Sequence, residues 1–214
     1  MALLSTQDDT KRALQKSRED WIVAALNTLM SDGIEGVRVL KLAKALGVTR
    51  GSFYWHFNSH DDLLNAVLAE WKARNTGIML DVLDHSDSLE NGVLDLFAVC
   101  VDHSKFDPHL DQAVRDWGRR SDSIGAIVAA EDDNRIAAIA SFYERHGYPK
   151  TEAFIRARVI YFTQISYYAL VGSEPAAERE EYLETYFHCF TGRSITPDVA
   201  QQFLARVLPQ KDPL

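Results

Sequence analysis

The side chains best suited to contact a chemical partner lie in one short stretch near the start of the chain. They are two hydroxyls, a guanidinium, a phenol, an indole, an imidazole and a glycine: Thr49, Arg50, Gly51, Ser52, Tyr54, Trp55 and His56. Hydroxyl and guanidinium groups bond phosphates and base edges, aromatic edges contact thymine methyl groups, and glycine permits a close approach. This mixture predicts binding in the major groove of double-stranded DNA, with Arg50 as the main candidate for base readout.

Two short helices are predicted to position these side chains. The first, at about 39–46, carries apolar residues on one face. Gly47 follows it directly and can take the left-handed conformation that a tight turn between helices requires. Thr49 can then cap the second helix, at about 49–56, through its hydroxyl. The pattern predicts a helix-turn-helix between about Val37 and Phe57.

The second helix has one anchored side and one open side. Phe53 and Phe57 are four residues apart, so they share a face and can pack against the first helix. Tyr54, Trp55 and His56 could by themselves equally be the cap of a hydrophobic cluster. Their alternation with the anchoring phenylalanines, directly after a turn, favours DNA contact.

A longer pattern around this motif resembles the signature of the tetracycline-repressor (TetR) family. It covers about the first third of the chain and consists of the run Leu42-Ala43-x-x-Leu46-Gly47-Val48-Thr49-x-Gly51-x-Phe53-Tyr54-x-His56-Phe57-x-Ser59-x-Asp61-x-Leu63-Leu64. The resemblance implies a three-helix DNA-binding head on a helical body that binds an effector and dimerises. Its usual function is that of a repressor released by a small molecule. The positions that match the family's DNA contacts are Thr49, Arg50, Gly51, Ser52, Tyr54, Trp55 and His56.

Two positions depart from the family's pattern. Arg38 stands where the family usually has a threonine at the start of the motif's first helix, so it can replace a phosphate contact but not the hydroxyl cap. His60 stands where the family favours lysine at the start of the connecting helix. Because an imidazole is largely neutral at pH 7, the phosphate contact at this position is expected to be weaker.

Helical periodicity runs through almost the whole chain, and no alternating β-branched run with hairpin turns is present. An all-α fold is therefore predicted, with a helix-turn-helix DNA-binding domain at 1–60 and a helical ligand-binding and dimerisation domain at 61–214. A helix from about Asp61 to Leu83 is predicted to join them rigidly. Further helices are predicted at 88–105, 108–119, 122–147, 151–172, 176–191 and 197–208.

Charge is unevenly distributed over the 214 residues, whose net charge is −8. Residues 1–60 carry eight Lys and Arg against six Asp and Glu, whereas the remainder carries 15 against 25. A weakly basic head can approach phosphates while an acidic body is repelled by them. The start of the chain lacks the pattern of a signal peptide, and no apolar run reaches the roughly 18 residues of a membrane span. A cytoplasmic protein without a membrane partner is expected.

The segment 151–172 is apolar around nearly its whole circumference, as is typical of a helix buried on all sides. One side can face the chain's own core and the other a second copy. A homodimer is therefore predicted, with Ile155, Ile160 and Phe162 at its interface. Aromatic residues of the body can line an effector cavity or simply form core, and these are Phe97, Trp117, Tyr161, Tyr167 and Tyr168.

No metal site, cofactor or enzymatic activity is predicted. His103, Asp107, His109 and Asp111 are close in sequence, but Asp107-Pro108 interrupts the helix between the two histidines. Cys100 and Cys189 form no CxxC pair and are interpreted as buried thiols. The sequence lacks a glycine-rich phosphate loop, a nucleophile elbow and an HExxH motif.

These patterns predict a DNA-binding transcriptional regulator, in the form of a repressor released by a small-molecule effector. It would bind a pseudo-palindromic operator as a homodimer. The alternative is a helical dimer that binds a ligand or a protein partner and no longer binds DNA.

Overall fold

The computed structural model describes residues 16–102, 104–170 and 176–207. These residues are helical and contain no β-strand, which confirms the all-α fold class. None of the described helices is both long enough and apolar enough to cross a membrane. The α-helices are α1 (Arg18–Asp32), α2 (Val39–Leu46), α3 (Arg50–Phe53), α4 (His60–Trp71), α5 (Ile78–Asp84), α6 (Leu89–Val101), α7 (Pro108–Gly118), α8 (Asp122–Arg145), α9 (Lys150–Leu170), α10 (Ala176–Thr191) and α11 (Pro197–Val207).

The chain forms two compact units, each with its own hydrophobic core. Among the described residues, the first unit contains 16–72 and 109–128, and the second contains 73–108 and 129–207. The first unit is therefore larger than the domain predicted at 1–60. It includes all of α4 and one distant segment, residues 109–128, which contains most of α7 and the start of α8.

The core of the first unit is built from buried apolar side chains of α1, α2, α3, α4, α7 and the start of α8. Its largest members are Trp21, Leu42, Phe53, Phe57, Leu63, Trp71, Leu110 and Trp117. Helix α1 begins at a capping box, in which the Ser17 hydroxyl accepts from the Asp20 amide and the Asp20 carboxylate accepts from the Ser17 amide. The cap fixes where α1 starts and thus which of its faces meets the core.

A buried carboxylate ties α7 to α4 within this first core. The indole Nε1 of Trp71 donates to Asp111 at 2.9 Å, and the Arg115 guanidinium donates to the other oxygen of Asp111 at 2.7 Å. Asp111 is almost fully buried, so both bonds are needed to offset the cost of removing its charge from water. This explains why a segment forty residues away belongs to the first unit.

Helix α4 continues into α5 through a π-helical segment, Lys72–Gly77. The prediction of one uninterrupted α-helix at 61–83 is therefore wrong. Two buried polar side chains of the segment are held by partners distant in sequence. The Asn75 amide donates to the backbone oxygen of Asp107 at 2.8 Å, and Thr76 accepts from Arg135 at 2.9 Å. Such long-range bonds are the physical reason for the wider helical turn.

In the second unit, helix α9 has one buried side and one exposed side. Ala153, Ala157, Ile160 and Tyr161 pack into the core of this unit. The Tyr161 hydroxyl donates to Asp132 at 2.6 Å and accepts from Arg135 at 3.2 Å. The predicted burial of this helix on all sides is therefore not met within the single chain, since its opposite side exposes large apolar residues.

Candidate nucleic-acid interface

The turn of the predicted helix-turn-helix has the geometry that its sequence indicates. Helix α2 ends at Gly47, whose φ of 70° and ψ of 28° are left-handed, as predicted. The Val48 amide then donates to the oxygen of Ala43 at 3.0 Å, which closes the end of the helix. Ala43 itself is buried, where its small side chain allows neighbouring elements to approach.

Helix α3 is shorter than the 49–56 segment predicted from sequence. Its α-helical part ends at Phe53, and the next residues form tighter turns in which the His56 amide donates to the Phe53 oxygen at 3.0 Å. The tightening lets Phe57 stack on Phe53 with ring centroids 5.2 Å apart, so both rings enter the core. Thr49 stands at the N-cap position, but its hydroxyl makes no capping hydrogen bond, so the predicted cap is wrong.

The open side of α3 and the turn after it form what we call the recognition surface, consisting of Thr49, Arg50, Gly51, Ser52, Tyr54, Trp55 and His56. Trp55 is 81% exposed and Tyr54 is 53% exposed, so much of each aromatic ring faces outward. His56 is half-buried, and its Nε2 atom is buried without a hydrogen-bond partner in the described part of the chain. A ring nitrogen of this kind has unused bonding capacity at the surface's edge.

Neither the backbone conformation nor the packing of the fold requires a glycine at position 51. It has no positive φ, and a Cβ atom added there would lie 3.6 Å from Thr49 Oγ1, an ordinary van der Waals distance. Glycine in a helix is less stable than alanine by roughly 0.5–1 kcal/mol. The chain itself therefore has room for a side chain at this position.

Of four basic side chains in and near α2, two form ion pairs with carboxylates of described residues and two do not. Arg38 pairs with Glu35 at 3.6 Å and makes no side-chain cap of α2. Lys41 bonds Asp32 at 2.5 Å, and its ammonium lowers the pKa of that carboxyl. Lys44 and Arg50 have no carboxylate partner among the described residues, so their charges are available to phosphates or bases. Both side chains lie at exposed positions.

His60 is the first residue of α4, and the structure gives its ring a specific bond. Its Nε2 lies 2.7 Å from the backbone oxygen of Val37, which can only accept. A neutral ring with its proton on Nε2 presents an acceptor at Nδ1 and cannot donate to a phosphate there. The weaker phosphate contact at this position stays a prediction, and the bond to Val37 is the structural feature that bears on it.

The predicted effector residues with described side chains are divided between the two units. Trp117 is buried in the core of the first unit, whereas Phe97 and Tyr161 belong to the second. The ring of Phe97 packs edge-on against Phe190 at 5.7 Å. Tyr167 is half-buried in α9, and the side chain of Tyr168 lies outside the described residues.

A second exposed surface, not predicted in this form, lies on α9 and α10. We call it the α9–α10 face, and its large exposed side chains are Phe154, Ile155, Val159, Phe162, Tyr182 and Tyr186. An open groove of about 610 Å³ runs along it beside Ile155, Val159 and Cys189. Cys189 is exposed rather than buried, because α10 turns Leu183 and Phe187 to the core instead.

Of the three residues predicted at the dimer interface, the structure puts two on this face. Ile155 and Phe162 are about half exposed, but Ile160 is only 4% exposed and packs within its own unit. Phe154 and Val159 are the exposed apolar neighbours that sequence analysis missed. Their spacing with Ile155 and Phe162 was visible, but an all-apolar helix does not reveal which side faces outward.

Three of the four residues weighed as metal ligands, Asp107, His109 and Asp111, lie within the described ranges. Within the described ranges, no group of three or more His, Cys, Asp and Glu side chains could hold a metal ion. His103 lies outside these ranges, and Asp111 is occupied by Trp71 and Arg115.

The helix-turn-helix segment is similar in sequence to bacterial regulators. Residues 22–67 match the model of a family described as bacterial regulatory proteins, tetR family. The HTH-type transcriptional regulator AcrR of Shigella flexneri is 33% identical over 69 residues, which are 32% of this chain and 31% of AcrR. The class D tetracycline repressor protein of Escherichia coli is 41% identical over 59 residues, which are 28% of this chain and 27% of the repressor. The chain thus matches less than a third of the length of these relatives.

The similarity of fold extends much further along the chain. A cysteine mutant of the TetR family transcriptional regulator CifR, in complex with 26-bp double-strand operator DNA, matches with a TM-score of 0.56. The match covers 88% of this chain and 95% of the CifR chain at 18% identity, which shows a common fold. Residues 22–67 therefore match the N-terminal segment of tetR family regulators, and the chain as a whole shares its fold with a solved regulator of that family.

Proposed function

We propose that this chain is a DNA-binding transcriptional regulator, a repressor that binds a pseudo-palindromic operator as a homodimer and is released by a small-molecule effector. It would act in the cytoplasm and would not be an enzyme. The observation that carries the proposal is the recognition surface. A short helix and the turns that follow it bury Phe53 and Phe57 and expose Arg50, Tyr54 and Trp55.

The chemistry of this surface favours DNA over a protein partner. Arg50 and Lys44 carry positive charge without a described carboxylate partner, and Thr49 and Ser52 add hydroxyls that bond phosphates or bases. Gly51 leaves a gap that the fold does not need and that a close-fitting groove would use. Interfaces with DNA are more polar and more positively charged than protein interfaces, as this surface is.

The homodimer is supported by the α9–α10 face. Several large apolar side chains exposed on neighbouring helices are typical of an interaction site. The guanidinium of Arg158 lies 5.6 Å from the ring of Phe154 and 5.1 Å from the ring of Phe162, so this cation packs against aromatic rings. A two-fold dimer would place two recognition surfaces on two half-sites, spaced by about 34–36 Å or a near multiple.

DNA binding is tested by selecting bound fragments from a random duplex library with the full-length protein. The expected result is an enriched pseudo-palindrome, protected in footprinting at two half-sites. Trp55→Ala is the variant of choice, because its side chain is exposed and its loss should leave folding unchanged. If neither the protein nor its variant enriches any sequence, the chain does not recognise specific DNA, and the alternative partner-binding function replaces this one.

The dimer is tested with the chain's two cysteines. Cys189 lies in the groove of the α9–α10 face, whereas Cys100 is buried in a core and serves as the internal control. A thiol reagent should modify Cys189 slowly where sedimentation shows a dimer and quickly after dilution to monomer. Cys100 should react slowly throughout. A dimer in which Cys189 still reacts at the monomer's rate would place the interface elsewhere.

The effector is tested by linkage. A ligand that releases the protein from DNA must bind the free protein more tightly than the complex, and the two affinities must change by the same factor, typically equivalent to 1–3 kcal/mol. Small, partly aromatic metabolites that raise the melting temperature would be titrated against the complex with the selected operator. Ligands that bind tightly and leave operator affinity unchanged would rule out the small-molecule switch.

A further inference from the structure

Arg50 and Tyr54 contact each other on the recognition surface. The Arg50 Nη2 donates a hydrogen bond to the Tyr54 hydroxyl at 3.0 Å, and the Arg50 Cζ lies 5.7 Å from the centre of the Tyr54 ring. The residues are four apart, the spacing at which side chains on a helical turn meet. Both are exposed, so this contact is not a product of core packing.

Tyr54 is itself held from below by the core of the first unit. Its ring meets the ring of Phe53 edge-to-face, with centroids 5.2 Å apart and planes at 84°. Phe53 is fully buried between Trp21, at 5.3 Å, and Phe57, at 5.2 Å. A chain of ring contacts therefore runs from the core to the Tyr54 hydroxyl and ends at the Arg50 guanidinium.

We propose that Tyr54 is a positioning residue that fixes the Arg50 guanidinium for specific readout of a guanine in the major groove. Arginine has five N–H donors in a planar arrangement, and the bond to Tyr54 uses one of them. The others remain for the O6 and N7 acceptors of guanine, which arginine bonds in a bidentate manner. An arginine held before binding loses less conformational freedom on binding than a mobile one.

This role differs from that of a phosphate contact, which is the other function a tyrosine hydroxyl can have at such a surface. A phosphate contact strengthens binding to all sequences, whereas a positioning residue strengthens only the preference that its partner reads. The two roles therefore separate in a measurement of base preference. The inference depends on the proposed DNA-binding function.

The test compares Tyr54→Phe, Arg50→Ala and the double variant in the full-length protein. The affinity of each variant is measured for the selected operator and for operators that carry each of the other base pairs at one position. That position is the one at which Arg50→Ala removes the base preference. Tyr54→Phe should lower the preference at that position alone by about three- to tenfold, the effect of one hydrogen bond. Its salt dependence should match the unsubstituted protein. The double variant should bind like Arg50→Ala, because the hydroxyl acts only through Arg50.

Ser141→Ala is the matched control, because it removes an exposed hydroxyl that accepts from an arginine four residues away on α8, outside both surfaces, and it should change nothing at the operator. Equal melting temperatures will show that all variants are folded. A Tyr54→Phe variant with uniformly weaker binding and a shallower salt dependence would make Tyr54 a phosphate contact and overturn the inference. Full preference in Tyr54→Phe, or additive losses in the double variant, would also overturn it. If the unsubstituted protein selects no sequence, the DNA-binding function itself fails, which is a separate result.

Discussion

The recognition surface and the α9–α10 face both expose large aromatic side chains, but in different chemical surroundings. On the first, Tyr54 and Trp55 alternate with a cation, hydroxyls and a glycine. On the second, the exposed Phe154, Val159 and Phe162 are accompanied by Arg158, whose guanidinium packs against both phenylalanine rings. Exposed aromatic side chains on both surfaces indicate that each has a binding partner. The polar groups between the aromatic rings indicate whether that partner is DNA or another protein chain.

The two surfaces should also differ in how their binding responds to salt and to substitution. A surface that binds phosphates releases counterions and weakens as salt increases. A surface that buries apolar area does not depend on counterions in this way. Substitutions on the two surfaces should therefore be separable, because those on one should leave the other's interaction intact.

The largest effect is expected from charge on the α9–α10 face. Val159→Glu combined with Ile155→Glu should convert the dimer to a folded monomer, because both side chains are exposed and neither supports the core. Loss of the second half-site contact should weaken operator binding by about 100-fold or more. Sedimentation and operator titration measure the two effects. Asn134→Glu, at an exposed site of α8, is the control that should do neither.

If the double variant remains a dimer with full operator affinity, the α9–α10 face does not bind a second copy, and the contrast between the surfaces is lost.

A smaller effect is expected from Arg50→Ala on the recognition surface. Loss of a bidentate base contact should cost about 1–3 kcal/mol on the selected operator and remove the preference at one position in each half-site. Lys44→Ala is the matched control, since Lys44 is also exposed and lacks a described carboxylate partner. It should weaken binding to all sequences alike. The same uniform loss in Arg50→Ala would reclassify Arg50 as a phosphate contact.

Gly51→Ala should change stability and DNA binding in opposite directions. The fold accommodates the added Cβ at 3.6 Å from Thr49, so denaturant unfolding should show a gain of about 0.5–1 kcal/mol. The same methyl group would occupy the space that a bound groove needs, and operator affinity should fall severalfold. Self-association should be unchanged. A variant that is more stable and binds the operator fully would show that Gly51 does not approach DNA.

The smallest effect is expected from His60→Lys. The substitution removes the bond to the Val37 oxygen, which should lower the stability by about 1 kcal/mol. A lysine that reaches a phosphate should tighten binding at pH 7.5 and steepen the plot of log affinity against log salt by just under one unit. Dimerisation should show no such change in salt dependence. An unchanged slope for operator binding would mean that residue 60 does not reach the DNA backbone.

The parts of the fold that could be predicted from sequence are those set by local geometry. The turn at Gly47 follows from the need for a left-handed residue, and the burial of Phe53 and Phe57 follows from their spacing. The end of α3 and the missing cap at Thr49 were not predictable in this way. Both depend on the backbone turn that brings Phe57 into the core of the first unit, and segments distant in sequence contribute to that core.

The other differences have the same origin in long-range contacts. The π-helical segment is held by bonds from Asn75 and Thr76 to partners 32 and 59 residues away. The inclusion of α7 in the first unit depends on the bond between Trp71 and Asp111, across 40 residues. On α9, Val159 and Ile160 are both apolar neighbours, and only packing determines that Val159 is exposed and Ile160 buried.

The distribution of tryptophan has a spectroscopic consequence. All four tryptophans of the chain lie in the first unit, three of them buried and Trp55 exposed on the recognition surface. Selectively excited indole fluorescence therefore reports on this unit alone. Its red-shifted, quencher-accessible component belongs to Trp55. The chain thus contains its own optical probe for occupancy of the recognition surface, without an attached dye.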